Sequence, residues 1–356
     1  MSKTARIRGL GAACRATALL LMTVLLQACG GGSSPAEGSG GTTRIVFGEQ
    51  RSTRPIAETA QAFKDAPYDF SFATFATPST EFEAFRSGAL DLASSNDITV
   101  LNAAASGLRL RIVARIWGSF LQKSVGIVVQ GNSPLRSVAG LKGRRIVVST
   151  ARGGSGDNLL YGALKEAGLR YEDVSVSYAP FNDALTAFRS GDIEVLVTND
   201  PYLILAEQQG GRVLRNGEGI NSGLGLIVAS DAALADPAKR AAIQDVLKRL
   251  QTAGEWVGQH PDAYAEFLAK DTGIELSLAR AIVERGTAQI GAVSEADIAV
   301  EQKVADQLVE RGLWKQPVDV RTYFDTTVYP LSPSAVAAAP AQPSSPSSSA
   351  TEGNSP

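Results

Sequence analysis

The sequence predicts an α/β protein of two similar lobes, each a mixed sheet flanked by helices, with a hinge and a helical C-terminal region. Three observations carry this. First, one stretch occurs twice: Ala84-Phe85-Arg86-Ser87-Gly88 leads through Leu90-Asp91-Leu92-Ala93-Ser94 to Ser95-Asn96-Asp97-Ile98. At an offset of 103 residues, Ala187-Phe188-Arg189-Ser190-Gly191 leads through Ile193-Glu194-Val195-Leu196-Val197 to Thr198-Asn199-Asp200-Pro201. The same offset pairs Gly107 with Gly210 and Arg109 with Arg212, and an echo at offset 101 pairs Arg44-Ile45-Val46 with Arg145-Ile146-Val147 and Arg51 with Arg152. Second, each copy reads as helix, strand, helix. Third, the chain beyond Asp236 carries apolar residues at helical spacing, Ile243, Val246, Leu247, Leu250 and Val257 among them.

Each copy has a physical reading. Gly88 and Gly191 stand where a helix ends in a left-handed turn, which glycine enters without a Cβ clash. The mainly apolar residues that follow fit a short buried strand. Asn-Asp then caps the next helix, and Pro201 suits its first position. In open α/β sheets ligands bind beyond the carboxyl ends of the strands, where Ser95-Asn96 and Thr198-Asn199 fall. Either turn alone reads equally as an ordinary polar strand-to-helix connection; recurrence at one point of a repeat is what favours ligand contact.

The ends of the chain lie outside this repeat. Lys3, Arg6, Arg8 and Arg15 precede an apolar run at residues 16–26, too short for a mature membrane span and suited to a signal peptide of residues 1–28. The run ends in Leu26-Gln27-Ala28-Cys29-Gly30, which resembles a bacterial lipobox, and the expectation is lipidation of Cys29. The other cysteine, Cys14, falls within the signal, so no disulfide is expected. Removing the signal leaves 30 basic against 36 acidic residues, and this mild acidity argues against nucleic acid as a partner. Residues 29–43 read as a flexible tether and residues 331–356, rich in Pro, Ala and Ser, as a disordered tail.

Between them, Arg44-Ile45-Val46-Phe47 is a strand leading through Gln50-Arg51-Ser52-Thr53-Arg54 to a helix that starts near Pro55 and runs toward Phe63. Strands follow over residues 70–75, 110–116 and 124–129. Residues 44–127 and 228–330 are assigned to the first lobe, with Leu226-Ile227-Val228-Ala229 as the returning strand, and residues 128–227 to the second. Ile146 to Ser149 is a strand ahead of Gly153-Gly154-Ser155-Gly156-Asp157-Asn158, after which Leu159, Leu160, Ala163, Leu164 and Ala167 form one helix face. That glycine-rich turn lets backbone N–H groups approach a ligand, and the helix N-terminus adds about half a positive charge. It is neither a Walker A loop nor a dinucleotide fingerprint, since the spacing of both fails. Ser294-Glu295-Ala296-Asp297 resembles a capping box.

Catalytic apparatus is sparse in the sequence. The one histidine, His260, lies in the helical tail, no His/Cys cluster suits zinc, and the carboxylates lack calcium-loop spacing. Two lobes with a polar, glycine-lined crevice describe a receptor, with no metal or cofactor expected.

At this point the sequence resembles the substrate-binding lipoproteins of ABC importers, in particular the nitrate/sulfonate/taurine group and its aliphatic sulfonate binding proteins. The resemblance spans roughly residues 44–330. It is carried by Ser95-Asn96-Asp97-Ile98, Ser133-Pro134 with Leu141-Lys142-Gly143, Gly154-Ser155-Gly156 with Asn158-Leu159-Leu160, Asp200-Pro201-Tyr202, Gly211-Arg212-Val213-Leu214 and Val318-Asp319-Val320-Arg321. It implies a type II periplasmic binding fold that closes on a small anion and delivers it to a membrane permease with a cytoplasmic ATPase. The expected receptor is a monomer held at a bacterial membrane by its lipid. Two positions depart from the family: Asp157 where His is frequent, and Asn199 where Trp is frequent. Asp157 either caps its own helix or faces a cationic group of the ligand. The candidate ligand residues are Gln50, Arg51, Arg54, Ser95, Asn96, Asp97, Gly154, Ser155, Gly156, Asp157, Asn158, Thr198, Asn199 and Asp200.

Overall fold

Short apolar runs bounded by turns become the strands of two sheets, and the helical spacings become the layers that cover them. The computed structural model describes residues 42–330 except Arg51 and Ala151. The expected signal, tether, lipidation site Cys29 and tail lie outside the described residues, as does the candidate Arg51.

The chain opens with β1 (Arg44–Glu49), α1 (Arg54–Thr59), β2 (Asp69–Thr74), α2 (Pro78–Arg86), β3 (Leu92–Asn96), α3 (Asp97–Ala105) and β4 (Leu110–Trp117). After the short α4 (Ser119–Lys123) come β5 (Val125–Val129), β6 (Arg145–Val148), α5 (Ser155–Glu166), β7 (Ser175–Tyr178), α6 (Phe181–Ser190), β8 (Val195–Asn199), α7 (Tyr202–Gln208) and β9 (Arg212–Asn216). Then follow β10 (Leu224–Ser230), α8 (Asp231–Ala235), α9 (Pro237–Gln259), α10 (Pro261–Thr272), α11 (Leu276–Arg285), β11 (Gln289–Gly291) and α12 (Glu295–Glu310).

The first sheet has the order β11-β4-β10-β3-β1-β2 and the second β7-β6-β8-β5-β9. Reversing the second shows the repeat in three dimensions, because β4-β10-β3-β1-β2 matches β9-β5-β8-β6-β7. In both, a parallel block (β3-β1-β2 or β8-β6-β7) meets one antiparallel strand, β10 or β5, which arrives from the other half of the chain. All five residues of β5 are buried, as befits an interior strand. The chain changes sheets between Trp117 and Val125 and returns between Asn216 and Leu224, a few residues before the expected boundaries at 127/128 and 227/228. The reason is pairing: Val125 already faces Asn199 in the second sheet, and Gly225 already faces Asn96 in the first.

Both faces of each sheet are covered. One face of the first sheet packs Phe82, Phe85, Ile98, Leu101, Val304 and Leu308 from α2, α3 and α12; the other packs Ile243, Val246, Leu247 and Leu250 of α9. The second sheet packs Leu159, Leu160 and Leu164 of α5 on one face, and Leu185, Phe188 and Leu203 of α6 and α7 on the other. The helical stripes read from sequence are these core faces.

Gly88 and Gly191 take left-handed φ values of 80° and 84° at the ends of α2 and α6. Ser294 accepts from the N–H of Asp297 while the Asp297 carboxylate accepts from that of Ser294, closing the expected capping box of α12. Two expectations change. Helix α1 stops at Thr59, short of Phe63, because Gln61 is left-handed (φ 51°) and Ala62 N–H bonds back to the carbonyl of Ala57. At the second copy, Pro201 is the N-cap of α7, one place earlier than expected, so Asn199 and Asp200 lie outside the capping position itself.

Candidate functional site

The carboxyl ends of β3 and β8 are brought to the two crossing segments. Ser95 and Asn96 sit opposite Leu226 and Gly225, where β10 begins, and Thr198 and Asn199 opposite Gly126 and Val125, where β5 begins. The segments also join each other: Gly217 N–H donates to the Gln122 carbonyl (2.9 Å), and Gln122 Nε2 to that of Asn221 (2.9 Å). Both repeated turns thus lie beside the two adjoining crossings between the sheets.

On the first-sheet side the site is built on two fully buried carboxylates. Glu49, the last residue of β1, accepts from Ser52 N–H and Thr74 Oγ1, both at 2.7 Å. Glu81 of α2 accepts from Gln50 Nε2 at 2.6 Å and Ser94 N–H at 3.2 Å. Burial, reinforced by the neighbouring Glu49 charge, pushes the Glu81 carboxyl up to about 7, against the opposing pull of Gln50 and Ser94. Gln50 Nε2 is also 3.3 Å from Ser95 Oγ, so two candidate residues are brought together. Asn96 is exposed and acts as the N-cap of α3, its Oδ1 accepting from Thr99 N–H at 3.0 Å. Asp97 is buried and accepts from the hydroxyl of Ser222 in the second crossing; burial raises its pKa despite that bond. Arg54 is committed to acids: Asp271 at 2.6 Å, Glu58 at 2.8 Å and Glu49 at 3.8 Å. Its charge is therefore largely spent within the protein.

On the second-sheet side the site is made of hydroxyls and amides at the N-terminus of α5. Gly154 is its N-cap and Ser155 its first residue. Ser155 Oγ accepts from Asn199 Nδ2 (3.0 Å), and Ser155 carbonyl from Asn221 Nδ2 (3.1 Å). Asn158 Nδ2 reaches Asn221 Oδ1 (3.0 Å), and buried Thr198 accepts from Ser149 Oγ (2.8 Å). Gly156 allows α5 to approach the sheet, since a Cβ there would lie 2.9 Å from Thr150 Oγ1. Thr150 Oγ1 and Asn199 Oδ1 are buried without a hydrogen-bond partner among the described residues. Sequence reasoning passed over Thr150, although offset 101 makes it the counterpart of Glu49.

Asp157 resolves differently from either expectation. One oxygen accepts from Gly153 N–H (2.8 Å), closing its own turn, and also meets a guanidinium nitrogen of Arg311. The other accepts from the hydroxyls of Tyr178 (2.6 Å) and Tyr171. Burial opposes ionisation, but these donors together outweigh it and hold the carboxyl below its ordinary range. Arg311 follows α12, which packs on the first sheet, so the pair spans the two halves; its exposure is 6% and that of Asp157 1%. Asp200 is similar in design and weaker in effect: Arg285, at the end of α11, lies 3.4 Å from it and also pairs with Glu207. Burial, aided by Glu207 and only partly offset by Arg285, pushes Asp200 up to about 7. Neither arginine was a candidate from sequence, where a distant partner leaves no local signal. His260 stacks on Trp256 with ring centroids 4.0 Å apart, its Nδ1 2.8 Å from the Trp256 carbonyl.

Two matching sheets, two crossings and a polar site at the crossings define a bilobal solute receptor. Comparison with known proteins gives the particular family. Residues 64–273 match the family described as ABC transporter, phosphonate, periplasmic substrate-binding protein. A putative aliphatic sulfonates-binding protein of Escherichia coli (strain K12) is 32% identical over 241 residues, 67% of this chain and 74% of the relative. The crystal structure of the periplasmic aliphatic sulphonate binding protein SsuA from Escherichia coli superposes with a TM-score of 0.73 at 28% identity, covering 80% of this chain and 92% of that one. The alkanesulfonate-binding protein SsuA from Xanthomonas axonopodis pv. citri bound to MOPS gives 0.69 at 26% identity, covering 80% and 98%. The chain belongs to the periplasmic substrate-binding proteins of ABC transporters.

Proposed function

We propose that this receptor captures a small organic anion, an aliphatic sulfonate, between the halves built on its two sheets and passes it to the permease of its importer. The halves are residues 44–124 with 224–330, and residues 125–216, closing about the crossings. The observation that carries the reading is the N-terminus of the 12-residue α5, with Ser155 in its first turn and the unpartnered Thr150 Oγ1 and Asn199 Oδ1 beside it. Helix N-termini direct N–H groups and positive potential at anions, and hydroxyls complete the shell without a fixed countercharge. The sulfonate-binding relatives favour this anion over nitrate or a pyrimidine precursor. Binding rather than catalysis is supported by the settings of His260 on Trp256 and of Asp157 on Arg311, neither offering a positioned base to a ligand.

Calorimetric titration with ethanesulfonate, nitrate, methylphosphonate and taurine tests this. Saturable micromolar binding of the sulfonate, weakened in Ser155→Ala, is expected; no binding of any sulfonate overturns the ligand class. A lipid anchor on Cys29 and a monomeric state complete the proposal. Cys29→Ser should leave the protein soluble or unprocessed, and equal membrane partitioning of mutant and wild type after signal cleavage would refute the anchor.

A further inference from the structure

Glu81 is an unusual neighbour for an anion receptor's recognition residue. It is fully buried, and its Oε2 lies 2.6 Å from the amide nitrogen of Gln50 at the crossing end of β1. A carboxylate only accepts hydrogen bonds, whereas a carboxylic acid donates one. With Glu81 ionised, the Gln50 NH₂ must turn inward, as in this structure, where it also meets Ser95 Oγ at 3.3 Å. The Gln50 carbonyl oxygen is then the atom left for a ligand. With Glu81 protonated, its O–H can donate to that carbonyl oxygen. The Ser95 hydroxyl can donate there as well, and the NH₂ turns outward.

We propose that Glu81 is a specificity-determining positioning residue: it sets which end of the Gln50 amide faces the ligand, and so whether this half offers an acceptor or a donor. The inference rests on the reading that Gln50 lines the ligand crevice. The acceptor state favours a sulfonate bearing an amine or hydroxyl, while the donor state favours a plain alkanesulfonate. The setting is suited to both states. From β1, Glu49 faces Glu81 as a second fully buried acid, and Arg54 of α1 stands 3.8 Å from Glu49, further pairing with Glu58 and Asp271. From β3 the neighbours are the neutral Ser94 and Ser95, and Thr74 of β2 donates to Glu49. Burial and the Glu49 charge hold the Glu81 carboxyl at about 7, so both states are populated near neutral pH.

The test uses the whole mature protein. In ¹⁵N spectra the Gln50 side-chain amide, identified by its loss in Gln50→Ala, should titrate with a midpoint near 7 and become flat in Glu81→Gln. Calorimetry then compares ethanesulfonate with 2-aminoethanesulfonate between pH 5.5 and 8.5. In Glu81→Gln, Ser94 N–H is met by the new amide oxygen and the new NH₂ donates to Gln50, mimicking the protonated acid. Ethanesulfonate should bind this variant roughly tenfold tighter than wild type at pH 8.5, with no pH dependence, and the preference for the amino compound should fall by a similar factor. An amide resonance that does not titrate in wild type overturns the inference, as do affinities unchanged by Glu81→Gln. If the resonance titrates but no sulfonate binds, the coupling stands and the sulfonate reading fails.

Discussion

Glu81 and Asp157 show the same problem, a buried carboxylate beside a candidate ligand turn, solved in opposite ways in the two halves. In the first, Glu49 and Glu81 sit under the end of β1 with neutral donors as their nearest partners, and the Glu81 proton is held more tightly than usual. In the second, Asp157 sits at the start of α5 with two tyrosine hydroxyls, a backbone N–H and a guanidinium from the other half, and loses its proton more easily than usual. Both sides are equally dry. Burial alone therefore does not decide the charge; the number and sign of the donors does. At these two positions the first half keeps a group whose charge responds to pH, and the second a fixed charge that ties it to its neighbour; Asp200 of the second half, whose arginine only partly offsets burial, falls on the side of Glu81.

The largest expected effect comes from breaking that tie. Arg311→Met removes the cation from buried Asp157 and leaves it three neutral donors, and urea unfolding should show a loss of about 3 kcal/mol, the lower end for a broken buried pair. Asp157 has a depressed pKa, so its contribution is present above the ordinary carboxylate range and is lost as pH falls through the still lower folded value; the variant should show a shallower acid limb. Unchanged stability would mean that the pair is incidental.

The next effect sharpens the contrast in sign. Glu301 of α12 is fully buried, with both oxygens unpartnered among the described residues, and burial, then Asp97 and Asp297, push its pKa well above normal. Such a group favours the fold below its unfolded value near 4.5, and that contribution is lost as pH rises toward the folded value. Glu301→Gln should therefore stabilise the protein at pH 8 by about 1–3 kcal/mol and much less at pH 4. Equal effects at both pH values would show that Glu301 is not carrying a proton. A third test separates the repeated turns. Asn199→Ala should weaken sulfonate binding by about 1.5–3 kcal/mol, while Asn96→Ala should cost about 1 kcal/mol of stability through loss of the α3 cap, with affinity little changed. Calorimetry and urea melts on both variants decide; the reverse pattern would exchange their roles. The smallest effect belongs to the exposed pair Lys165–Glu310, close to Arg311 in sequence but open to water: Lys165→Ala should leave the urea midpoint unmoved.

Much of the fold was legible because it is written twice. The 103-residue offset aligns β3 with β8 residue for residue, and offset 101 aligns the starts of β1 and β6. What was not legible depends on packing between distant segments. Arg311 reads as one more charge after a helix until α12 is laid on the first sheet and its end brought to α5. Glu81 offered a faint sign, since it precedes Phe85 by four residues and so shares the buried face of α2, where a glutamate is out of place. Arg54 misled for the opposite reason: a cation beside an expected anion site drew attention, yet three acids from its surroundings already occupy it. Asn96 and Asn199 look equivalent in sequence and differ because only the first has a helix starting immediately after it.

The way β5 and β10 are exchanged between sheets has a consequence for the order of assembly. Every strand of the second sheet lies within one uninterrupted segment, from Val125 to Asn216, whereas the first sheet needs β10 between β3 and β4 and so lacks an interior strand until Ser230 has emerged. Loop-closure entropy makes such distant pairing slow relative to local pairing. The second sheet is thus placed to form early, with the opening strands of the chain waiting, edges unpaired, for a segment more than a hundred residues downstream of β4. On topology alone, the middle of the chain can complete a sheet before either end, and the crossings that join the two sheets make the first half the one that needs the most distant pairing.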